Sequence, residues 1–123
     1  MAASALMTIG RMPERDVVEA DRPSCVTCAR NWMVVAARHA ALSGDVERAL
    51  ALADEIASAT TGTSLAAALA VAHLRAIAHA RAGRSADAER AAEEARAAYR
   101  ATGRADTLVM LDRDLALISA LHA

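Results

Sequence analysis

The sequence predicts an all-α fold built from antiparallel helical hairpins, about five helices in all. Three observations carry that expectation. Thirty-five of the 123 residues are alanine, the strongest helix former, while aromatic residues are limited to Trp32 and Tyr99. Apolar positions recur at i, i+3 and i+4 spacing through most of the chain. Two phrases, "HAALSGDVERALALADE" from His39 and "HARAGRSADAERAAEEA" from His79, repeat one pattern. In each, an apolar helical stretch halts at a glycine (Gly44, Gly83) and a new Ala-rich helix begins.

Residues 1–23 are the least regular part. The breakers "GRMP" and "ADRP", with prolines at 13 and 23, predict a flexible or loosely docked N-terminal arm. Residues 24–123 read as a single helical-repeat domain. Ser24 is placed to cap a first helix that carries Trp32, Val35, Ala36, His39 and Ala40 on one face. Gly44 closes it in a left-handed conformation, and Asp45 caps a second helix burying Val46, Ala49, Leu50, Ala53, Ile56 and Ala57. "SATTGTS" ends that helix, and Thr63 or Ser64 restarts the chain.

The third helix, about Leu65 to Ala82, has a wide apolar arc (Leu65, Leu69, Val71, Ala72, Leu74, Ala76, Ala78), which predicts a central position. Gly83 closes it. Ser85 caps a fourth helix with Ala88, Ala91, Ala92, Ala95 and Tyr99 inward, and Gly103 ends that one. A last helix, about Ala105 to Leu121, presents Leu108, Leu111, Leu115 and Ile118, and its "LDRDL" reads as a polar face.

Composition narrows the function. All 14 basic residues are Arg, the net charge is −1, and acids alternate with bases along the helices, as on a solvated face laced with i,i+4 pairs. With no basic stripe and no aromatic stacking platform, nucleic acid is not an expected partner. The longest apolar run, "LAAALAVA" from Leu65, is far shorter than the roughly 20 residues that span a bilayer, so no membrane partner is expected. The start "MAASALMTIGRMPER" lacks a basic region ahead of its apolar patch, and two Cys without a secretion signal suggest reduced thiols in a cytoplasm.

Gly44 and Gly83 are 39 residues apart, the scale of a helical-hairpin repeat. Five residues after each glycine stands an alanine (Ala49, Ala88), and seven before each another (Ala37, Ala76). Small side chains at both places let the paired helices cross closely. The arrangement resembles the tetratricopeptide repeat superfamily, in its longer-period, Ala-rich version found in large bacterial transcriptional activators and signalling ATPases. The resemblance covers roughly Arg30 to Leu121. It departs from the usual pattern in having Ala53 and Ala92 where an aromatic is common, and no proline closing either repeat.

What the resemblance implies is a concave groove lined by the first helix of each hairpin, holding a peptide or partner helix. Carried over by position, that groove takes in Asn31, Val34, Arg38, His73 and Ile77, with Asp112 from the last helix. The alternative for these six is a solvated surface. Two and a half repeats leave an uncapped apolar end, which predicts homo-oligomer formation through the last helix or the N-terminal arm.

Reactive chemistry is confined to "CVTC", Cys25 to Cys28. Two Cys at this spacing in a first helical turn suit a disulfide or a low-pKa thiolate, and they supply half of a tetrahedral zinc site. No strand precedes them, as a thioredoxin-like unit would require, and no second close ligand pair follows; bland helix-start cysteines are the simplest account. His39 and His79 precede their glycines at matching steps, which predicts structural, hydrogen-bonded histidines near the turns. Trp32, Met33 and Met110 suit an apolar ligand pocket or, more simply, core packing. Neighbouring acids such as Glu93 and Glu94 diverge around their helix, and no phosphate loop, nucleophile elbow or HExxH occurs. The function expected is therefore a small cytoplasmic protein–protein interaction module without a cofactor rather than an enzyme. The rival is a thiol-dependent protein in which Cys25 and Cys28 bind zinc or cycle through a disulfide.

Overall fold

The structure is a computed structural model describing residues 26–59 and 65–122, with side chains described over 31–58 and 68–122. Those residues form five helices and no strand: α1 Val26–Ser43, α2 Val46–Ala59, α3 Leu65–Arg81, α4 Ser85–Ala101 and α5 Ala105–Leu121. The fold is all-α. None of these helices is long and apolar enough to cross a membrane. The caps expected at Ser24, Thr63 and Ser64, and the N-terminal arm, lie outside the described residues.

Three glycine turns are built alike. Gly44, Gly83 and Gly103 have φ of +96°, +77° and +69°, the region that an L side chain rarely adopts. In each, the residue after the glycine donates its amide five residues back: Asp45 to Ala40 at 2.8 Å, Arg84 to His79 and Arg104 to Tyr99 both at 2.9 Å. The glycine amide itself donates three residues back, to Ala41, Ala80 and Arg100. This double closure satisfies carbonyls that a helix end would leave unpaired. The same residue then opens the next helix, its carbonyl accepting from Ala49, Ala88 or Leu108. At these turns consecutive helices thus meet across two residues at Gly44 and three at Gly83 and Gly103, and the chain folds back sharply at each.

Capping by side chains is weaker than the sequence suggests. Asp45 Oδ1 accepts from the Arg48 amide at 3.4 Å, a long contact. Ser85 does not cap α4: the cap position falls on Arg84, which makes no side-chain cap bond, because the glycine closure already uses Arg84 as the junction.

The packing order follows the hairpins. α1 packs on α2 and α3, α2 on α3, and α4 on α5, while α3 touches all four of the others. The central position expected of α3 is what the wide apolar arc produces: Leu69, Val71, Ala72, Leu74, Ala76, Ile77 and Ala78 are all buried. The core is mainly alanine. Ala37, Ala41, Ala53, Ala76, Ala78 and Ala95 have no exposed surface, with Ile56, Ile77, Leu111 and Ile118 filling the wider spaces. The four alanines spaced around Gly44 and Gly83, Ala37, Ala49, Ala76 and Ala88, are all buried, as close helix crossing requires.

Candidate functional site

The most unusual chemistry lies in the interior. Asp114 is buried on α5, in line with Leu111 and Ile118, so "LDRDL" is not the polar face its sequence suggests. Arg38 of α1 reaches it with two contacts, Nε to Oδ2 at 2.9 Å and Nη2 to Oδ1 at 2.7 Å. His73 of α3, also buried, brings Nε2 to within 3.1 Å of Oδ2. The other ring nitrogen, Nδ1, sits 2.9 Å from the hydroxyl of buried Tyr99 on α4, and the two rings meet edge to face. Four helices therefore converge on one carboxylate and its imidazole.

Bonding rules set the proton positions. An ionised carboxylate only accepts, so His73 Nε2 carries hydrogen and donates to Asp114. At Nδ1 the Tyr99 O–H donates when that nitrogen is bare, and Nδ1–H donates to the Tyr99 oxygen when both ring nitrogens carry hydrogen. Burial pushes the Asp114 pKa upward, yet the hydrogen bonds from His73 and Arg38, with the Coulombic pull of Arg38 and then of His73, outweigh it and hold the carboxyl below its ordinary value. Burial pushes the Tyr99 hydroxyl up to about 12, against a lowering by Arg104 and with a further rise from Asp114.

A carboxylate orienting a histidine is also a hydrolase arrangement, with a hydroxyl as the third member. Here the hydroxyl is a tyrosine only 3% exposed and held strongly protonated, so it is a poor nucleophile. The chemistry suits a clamp rather than a reaction: one carboxylate fixes α1, α3 and α5 in register, and Tyr99 adds α4.

A second feature lies between α4 and α5. A shallow cleft of about 360 Å³ is lined by Ala88, Glu89, Ala92, Glu93, Arg96 and Leu115, and none of the four clamp residues borders it. Its floor is small and apolar. At its edge Arg96 bonds Glu93 and Asp112 at 3.2 Å each, while Glu89 is exposed.

Of the six residues placed in a groove by resemblance, the structure brings Arg38 and His73 together, but on Asp114 rather than around a ligand. Ile77 has no exposed surface and belongs to the core. Asn31 is exposed and Val34 half-buried on the Arg38 side of α1, whereas Asp112 turns towards α4 and its Arg96 partner. Asp114 and Tyr99 complete the cluster; neither carried a site role in the sequence.

Of the histidines near the turns, His39 is buried, whereas half-buried His79 leaves Nδ1 without a hydrogen-bond partner among the described residues. Trp32 lies in the core with Met33 packed against it, while Met110 is exposed on α5. The Cys25 and Cys28 side chains lie outside the described residues. Among those described, no group of three or more His, Cys, Asp or Glu is arranged to hold a metal ion.

No protein-family model, curated protein or solved structure matches the chain.

Proposed function

We propose that the chain is a small helical-repeat module, of tetratricopeptide-like construction, that binds a helical segment of another protein in the cytoplasm. The supporting observation is the cleft between α4 and α5, whose floor of Ala88, Ala92 and Leu115 gives an incoming helix close backbone approach. Its charges define the partner. The rim sets Glu89 and Glu93 against Arg96, and Arg96 is also engaged by Asp112 from outside the lining, which leaves the rim with excess negative charge. The fitting segment is amphipathic, with Ala, Gly or Ser where it meets the floor and Arg or Lys flanking that stripe.

Selection from a displayed library of amphipathic helices tests this. Enriched sequences are expected to carry small residues at i, i+3 and i+4 with flanking basic residues. Glu89→Lys with Glu93→Lys is expected to abolish their binding while helicity is retained. Enrichment of no such class, or binding indifferent to the charge reversal, contradicts the reading.

A further inference from the structure

The large hydrophobic side chains that stand exposed among the described residues all lie on α5: Val109, Met110, Leu117 and Leu121. At 100° per residue they share one outward arc with exposed Ala116 and Ala120. Two charges interrupt that arc, Asp106 and Arg113, of opposite sign and seven residues apart, close to two helical turns. Both are exposed, and neither side chain makes an ion pair or hydrogen bond among the described residues. We infer that α5 pairs antiparallel with α5 of a second copy of this chain.

The charge spacing selects that occupant and that direction. A twofold axis between Val109 and Met110 sets each Asp106 against Arg113 of the second copy, twice over, and each Val109 against Met110. In that register residues 105–114 of the two helices face each other, while Leu117 and Leu121 lie beyond the start of the second copy's α5, on the side of its Thr102–Gly103 turn. Parallel pairing would instead set Asp106 on Asp106 and Arg113 on Arg113, an arrangement that like charges oppose. A stripe that complements itself under a twofold is the mark of an isologous contact. The face is separate from the α4–α5 cleft, which neither Val109 nor Met110 lines, so either can fail without the other.

Sedimentation equilibrium of the full chain under reductant, which removes any disulfide through Cys25 or Cys28, tests the pairing. A dimer is expected in the micromolar range. Asp106→Arg alone and Arg113→Asp alone are each expected to weaken it at least tenfold, because each sets like charges together twice. The double exchange Asp106→Arg with Arg113→Asp restores it, with circular dichroism confirming unchanged helicity throughout. A monomer across that range, including one whose α5 face is covered by residues 1–25, overturns the inference. So does a dimer that ignores the single reversals, or one that the double exchange does not rescue.

Discussion

Arg38 and Asp114 stand 76 residues apart in the chain and meet through a two-pronged guanidinium–carboxylate contact of 2.9 and 2.7 Å. This contact joins the first described helix to the last across the middle one, and His73 fills the gap between them by bonding the same carboxylate. Fork-to-fork geometry fixes orientation as well as distance, so α5 is held in one rotational setting against α1 and α3.

Removing the carboxylate charge tests the clamp. Asp114→Asn leaves the partly buried Arg38 guanidinium without its counter-ion, and a loss of about 3 kcal/mol is expected in urea unfolding. Arg38→Glu is expected to be worse, since it sets a second carboxylate against Asp114. A groove variant combining Arg38→Glu with His73→Ala therefore unseats α5, and any loss of partner capture by it reports unfolding rather than a missing contact.

Acid should act through the same group. Asp114 has a folded-state pKa below its unfolded value, so near pH 4 the unfolded chain binds more protons than the folded one. The stabilisation is complete above the ordinary carboxylate range and is lost as pH falls through the lower folded value. Wild-type stability is expected to fall more steeply below about pH 4 than that of Asp114→Asn. Parallel slopes in the two proteins would show that Asp114 is not the group responsible.

Tyr99 is the only tyrosine, so its ionisation can be followed by near-ultraviolet absorbance. Its midpoint is expected at about 12 in the folded chain and near the ordinary value of 10.0 in urea. Because the folded value is the higher one, stability is complete below the unfolded value and declines as pH rises towards the folded one. Tyr99→Phe removes that alkaline decline. It also leaves buried His73 Nδ1 without its hydrogen-bond partner, at a cost of about 1–2 kcal/mol.

The three glycines are not equivalent. An added Cβ at Gly83 or Gly103 meets nothing within 4 Å, so alanine there carries only the left-handed backbone cost, about 1–2 kcal/mol. At Gly44 the same atom falls 3.2 Å from Arg81 Nη2, and φ is the most extreme of the three. Gly44→Ala is expected to be the most destabilising in thermal melts. Adding Arg81→Ala should recover the steric part and leave the backbone part.

The hairpins were legible because their signals are local. Gly44, Gly83 and Gly103 each end an apolar run, and the alanines around the first two sit where crossing helices need small side chains. Non-local chemistry was harder to read. Asp114 keeps the spacing of the buried stripe, three residues after Leu111 and four before Ile118, yet an acid beside Asp112 and Arg113 looks solvated until its partners are known. Those partners, Arg38 and His73, are contributed by other helices, and no sequence interval announces their meeting. Ser85 misled for the opposite reason: a good capping residue stands one place beyond a junction that the glycine closure had already filled.

A double-mutant cycle on Arg38 and Asp114, read by urea unfolding, tests the central claim most directly. With Arg38→Ala, Asp114→Ala and the pair together, the predicted coupling is at least about 1.5 kcal/mol, because each single change strands the other residue. Additive losses, agreeing within about 0.3 kcal/mol, would mean that the two side chains do not meet and that α5 is not held against α1 as described.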